Sequence, residues 1–162
     1  MNILIINGPN LNFLGIREPN IYNSSTYDDL KAYLNQYATK NDINLEIFQS
    51  NYEGAIIDEL QKAYFEKVDG IVINPGAFTH YSYAILDAIK SINIPTIEVH
   101  LTNINEREEF RKVSVIRDAC LNTFMGKHFE SYKDALDYLT KYLNEVKINE
   151  KQWLPFSKKC PK

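Results

Sequence analysis

A chain of 162 residues, 44% of them hydrophobic, can fill one core of ordinary size and is too short for two ordinary domains. Its net charge of −3 is small and its charges are interspersed, which argues against a nucleic-acid groove or a basic membrane face but leaves room for a compact anionic ligand. No apolar run approaches the length of a bilayer span, and Met1 leads straight into an apolar strand without a charged leader, so the expected address is the cytoplasm.

Ile3 to Ile6 form an unbroken apolar run, the pattern of a strand buried on both faces, and Asn7-Gly8-Pro9-Asn10 stops it. The connection to the next helix is far longer than the usual handful of residues and carries Arg17 and Tyr22, which suits a lid over a site at the strand's carboxyl end. Ser24, Ser25 and Thr26 offer N-caps for helix one, whose apolar positions are Leu30, Tyr33, Leu34, Tyr37 and Ala38. Leu45 to Gln49 alternates as a strand near a sheet edge. Helix two presents Ile56, Ile57, Leu60, Ala63 and Tyr64 on one face, and Gly70 to Ile73 is a third strand ending in Asn74-Pro75-Gly76.

Thr79 or His80 can start helix three, which runs through Ile85, Leu86 and Ile89; Pro95 then precedes strand four, Thr96 to His100. That strand delivers a histidine to its carboxyl end. A loop at 101–104, a charged turn from Glu106 to Phe110 and a weak strand from Leu121 to Met125 follow. Ser131 is placed to cap a last helix with Ala135, Leu136, Leu139, Tyr142, Leu143 and Val146 facing inward. Residues 1–146 read as one domain, and 147–162, without periodicity, as a flexible appendage. Cys120 and Cys160 have no metal-ligand spacing and read as reduced thiols.

Strands alternating with helices give an α/β fold with a parallel sheet and right-handed crossovers. The carboxyl ends of strands one, three and four then share one edge, so Asn10, Arg17, Tyr22, Asn74, His80 and His100 should converge there.

Five ordered motifs sharpen this: N-G-P-N-L-N-F-L-G-I-R-E-P-x-x-Y from Asn7 to Tyr22, S-N-Y-E-G from Ser50, N-P-G-A-F-T-H-Y-S from Asn74, E-V-H-L-T-N from Glu98 and R-E-E-F-R from Arg107. From Met1 to about Ser114, and more loosely through the last helix, the chain resembles the type II 3-dehydroquinate dehydratases. The resemblance implies a flavodoxin-like sheet in the order 2-1-3-4-5, a homododecamer built from trimers, and no metal or cofactor. It also implies removal of water from 3-dehydroquinate to give 3-dehydroshikimate, a step of the shikimate pathway.

Such an elimination needs a base for the α-proton, stabilisation of an enolate oxygen and an acid for the departing hydroxyl. The family pattern puts the base at Tyr22, whose phenol would ordinarily titrate near ~10, and the cation that lowers this value at Arg17. His100 matches the proton donor and Glu98, on the same strand face, the group that orients it. Asn10 matches the residue that holds a water near the enolate oxygen. Asn74, His80 and Arg111, with the backbone amides of Leu101 and Thr102, match positions that bind the substrate's hydroxyls and carboxylate. Asp87 matches a position that reaches into a neighbouring subunit's site.

Without the motifs, a loop tyrosine, a loop arginine and a strand-end histidine would each have had an ordinary packing or surface reading. Tyr27, His128, Cys120, Arg107 and Glu108 keep that reading, the last two as a surface pair. Asn23 and Thr102 stand where the family has glycine and serine, and 115–129 lacks the glycines and small residues expected around strand five. Competing functions on this fold are a flavin-mononucleotide electron carrier and a non-catalytic assembly subunit. The first would need a phosphate-cradling first loop, where this chain has a proline and bulky apolar residues.

Overall fold

Period-two alternation along apolar strands sorts their side chains into two cores. In β1 (Asn2–Asn7), Ile3 and Ile5 pack on one side with Val72, Ile97 and Val99, while Leu4 and Ile6 pack on the other with Ile71 and Ile73. Such a strand has no solvent face, which is why its sequence shows no polar interruption. The computed structural model describes residues 1–16 and 25–157, and side chains as far as residue 149.

Four more strands complete the sheet: β2 (Asn44–Gln49), β3 (Gly70–Asn74), β4 (Thr96–His100) and β5 (Asn122–Met125). All neighbours are parallel, in the order β2-β1-β3-β4-β5, so the expected topology holds and β2 is an edge. One face is covered by α1 (Tyr27–Lys40) and α4 (Phe129–Ser157), the other by α2 (Glu53–Phe65) and α3 (Tyr83–Ile92). Across the first pair, Tyr33 donates to Glu130 at 2.7 Å and Tyr37 to Asp137 at 2.5 Å, tying helices nearly 100 residues apart.

Local chemistry explains most boundaries. Thr26 and Asp29 form a reciprocal capping box at the start of α1. The third helix begins later than predicted, because Gly76–His80 is a 3-10 turn and Ser82 accepts from the Ile85 amide as the true cap. Thr79, a predicted start, instead gives its hydroxyl to Glu98. Ser131 likewise does not cap α4: it lies inside the helix and accepts from the Lys127 amide at 3.0 Å. The helix also continues past Val146 to Ser157, beyond the predicted end. Despite its departures from the family pattern, 115–129 supplies the buried Ile116 and a β5 in parallel register with β4.

The two loops whose sequences echo each other interlock. A Cβ on Gly8 would lie 2.4 Å from the Pro75 carbonyl oxygen, so only glycine fits, and its amide donates to the Asn74 carbonyl at 2.7 Å. Reciprocally, Gly76 takes a φ of +57° where a Cβ would approach the Pro9 carbonyl at 3.1 Å. The close approach brings the ends of β1 and β3 to one edge.

Candidate active site

At that edge lies a cavity of ≈ 110 Å³, walled on the β1 side by Pro9, Asn10, Leu11, Phe13 and Leu14 and on the β3 side by Asn74, Gly76, Ala77 and His80. The β4 side contributes His100, Leu101, Thr102, Ile104, Arg107 and Arg111. Seven of the predicted residues therefore meet: Asn10, Asn74, His80, His100, Leu101, Thr102 and Arg111. Arg17 and Tyr22 lie outside the described residues. Asp87 is exposed on α3 and does not line the cavity.

The centre of the β4 side is a buried carboxylate. Glu98 has no exposed surface, and its Oε1 meets the His100 Nε2 at 2.7 Å, the Thr79 hydroxyl at 2.6 Å and the Ser114 hydroxyl at 2.8 Å. Its Oε2 accepts from the Thr123 hydroxyl at 3.2 Å and faces the Arg117 Nε at 3.6 Å. Burial alone would raise the pKa of this carboxyl; the hydrogen bond and charge of His100, with the Thr79 and Ser114 hydroxyls, outweigh it and bring the value down to about 2. An ionised carboxylate only accepts, so His100 must carry a proton on Nε2. Nδ1 is then the nitrogen that can act on a ligand.

The same logic assigns His80. Its Nδ1 contacts the Val113 carbonyl at 2.8 Å, and a carbonyl cannot donate, so Nδ1 is protonated and Nε2 is left for the cavity. Asn10 sits in left-handed backbone, φ 66°, and its amide donates to the Asn51 side chain at 2.9 Å; the turn role and the lining role coexist. Leu101 is buried, with its carbonyl tied to the His128 amide at 2.9 Å. His128, assigned only a surface place, thus anchors the loop through its backbone.

Arg111 pairs with Glu108 at 3.2 Å and stacks over Phe110. Arg107 is a residue that sequence reasoning set aside. It pairs with Glu108 at 3.9 Å as expected, yet it also lines the cavity and donates to the Thr102 hydroxyl at 3.4 Å. Its four-residue spacing from Arg111, in a turn following the strand-end histidine, was the available signal. Two arginines and two imidazoles, with no carboxylate among the described lining residues, make the cavity suited to an anion.

Cys120, a free thiol, lies near this cluster, and burial, with the charge of Glu98 adding to it, pushes its pKa up to about 12, which keeps it unreactive. Among the described residues no group of His, Cys, Asp and Glu has the arrangement of a metal site, and no helix is long and apolar enough to cross a membrane.

Residues 1–140 match the family model for class II dehydroquinase. The chain belongs to that family. A 3-dehydroquinate dehydratase of Caldicellulosiruptor bescii is 57% identical over 142 residues, covering 88% of this chain and 98% of the relative. The crystal structure of the type II dehydroquinase from Butyrivibrio crossotus superposes with a TM-score of 0.85 at 55% identity, covering 86% of this chain and 97% of that one. That from Propionibacterium acnes gives 0.82 at 40% identity, covering 86% and 96%. The five-stranded order and its helices are those of the family's fold, as the motifs implied.

Proposed function

We propose that the chain is a 3-dehydroquinate dehydratase working by cofactor-independent elimination through an enolate. The observation that carries the reading is the pairing of His100, which lines an anion-suited cavity, with the buried, ionised Glu98 behind it. Tyr22, as phenolate beside Arg17, takes the α-proton next to the ketone, and the C–H electrons pass into an enolate. Asn10 holds a water against the enolate oxygen. When the enolate collapses, the β-hydroxyl departs with a proton from His100 Nδ1, giving water and a conjugated enone. Glu98 orients the imidazole throughout.

Binding falls to the cationic and amide groups. The carboxylate sits against the Leu101 and Thr102 amides, and Asn74, His80 and Arg111 take the remaining oxygens. Arg107 adds positive charge to the same wall. We further propose a trimer-based dodecamer in which the exposed Asp87 completes a neighbour's site, and a place in the cytoplasm. A flavin phosphate would want free amides at the first turn, where Pro9 has none and Leu11, Phe13 and Leu14 fill the wall.

The test is to add 3-dehydroquinate to chelator-treated protein and follow the enone absorbance of the product. A flat trace would sink the assignment. Tyr22→Phe should abolish turnover while a non-reacting analogue still binds; near-parental activity would remove Tyr22 as the base.

A further inference from the structure

A second buried polar centre, which the elimination itself does not use, joins the ends of β1 and β3 to α4. Asn7 and Asn74 are register partners and the last residues of their strands, 0% and 3% exposed, and Tyr132 of α4 is fully buried against them. The Asn74 Nδ2 donates to the Tyr132 hydroxyl at 2.9 Å, which donates in turn to the Asn7 Oδ1 at 2.6 Å. The Asn7 Nδ2 continues to the Tyr27 hydroxyl at 3.4 Å.

Donor accounting fixes the sense of this chain. The Gly76 amide can only donate, and it reaches the Asn74 Oδ1 at 3.2 Å, so the amide oxygen must face Gly76 and the nitrogen must face Tyr132. The proton of Tyr132 is committed to Asn7, so its oxygen is an acceptor for Asn74. A planar amide held at both ends cannot turn over. Its second N–H remains for the cavity that Asn74 lines.

We infer that Tyr132 is a positioning residue, whose phenol locks the Asn74 amide so that a bound ligand meets an N–H donor and not a carbonyl oxygen. The ligand atom selected is an acceptor, a hydroxyl or carboxylate oxygen of the substrate, and in this the inference rests on the dehydratase reading. Without the phenol, the amide nitrogen loses its acceptor and only the 3.2 Å bond from the Gly76 amide opposes a half-turn that would set the carbonyl against that oxygen.

Tyr132→Phe keeps the ring and deletes only the hydroxyl. The expected result is a rise in KM of about tenfold, from one lost directed hydrogen bond, with kcat within about twofold of the parent. In an Asn74→Ala background the same change should add nothing to KM, because the amide it positions is gone. Additive losses, or an unchanged KM in the single variant, would overturn the inference. Asn7→Ala, which keeps Tyr132 but removes its acceptor, should move KM in the same direction by less; no movement would count against the proposal. If the parent does not turn over 3-dehydroquinate, the functional reading has failed and the positioning claim is decided by the crystal structure of Tyr132→Phe. Departure of the Asn74 Oδ1 from the Gly76 amide supports it, and an unmoved amide refutes it.

Discussion

Two buried polar centres stand side by side at the carboxyl edge of one sheet, and they are built from opposite materials. Under β4, a carboxylate is surrounded by an imidazole, three hydroxyls and a guanidinium. Between β1 and β3, two amides and a phenol satisfy one another without any charge. In the proposed mechanism the charged centre touches the residue that exchanges a proton, His100, and the neutral centre holds one that only presents a proton, Asn74. A buried charge is costly unless fully paired, so it belongs where its field acts on chemistry; orientation alone is met by neutral groups whose hydrogen bonds cancel their desolvation.

The largest break in this contrast comes from Glu98→Gln, which keeps the shape and removes the charge. The lost charge-assisted bond to His100 is of order 1.5–3 kcal/mol, so kcat should fall about ten- to a hundredfold while KM barely moves. A loss confined to KM would make Glu98 a binding group and erase the distinction between the centres.

Thr79→Val tests the same carboxylate through stability. The folded-state pKa of Glu98 lies at about 2, below its ordinary 4.5, so its stabilisation is fully present above pH 4.5 and is lost as pH falls through about 2. Removing the Thr79 donor raises that folded value. The parent should therefore exceed the variant by about 1.5–3 kcal/mol at neutral pH, with the gap closing on acidification, as read by urea unfolding across pH. A gap independent of pH would mean that the hydroxyl serves packing and not the charge.

The smallest effect is expected from Arg117→Gln. Its side chain is 41% exposed and its contact with Glu98 is long, 3.6 Å, so the change should cost no more than about 1 kcal/mol and shrink in high salt. A larger, salt-independent loss would promote Arg117 to a full member of the buried centre.

Sequence alone carried the strands because β1, β3 and β4 are short, apolar and separated by helical periodicity, and the motifs carried most of the cavity because they lie at strand ends. It did not carry the start of α3 or the cap of α4. There, competing hydroxyls nearby could each have served: Thr79 is taken by Glu98, and Ser131 by Lys127. Tyr132 was invisible for a different reason. Its partners lie 58 and 125 residues away, and a buried tyrosine in a helix has the same local pattern whether or not its hydroxyl does anything. Arg107 was missed because a charged turn ordinarily faces water, and only the fold puts it on the cavity wall.

The most direct measurement is the partition between α-proton exchange and dehydration in His100→Ala, followed in deuterated solvent with 3-dehydroquinate. If His100 is the acid and Tyr22 the base, exchange persists near the parental rate while dehydration slows by about 10²–10⁴-fold. Equal slowing of both steps would contradict the division of labour on which the account rests.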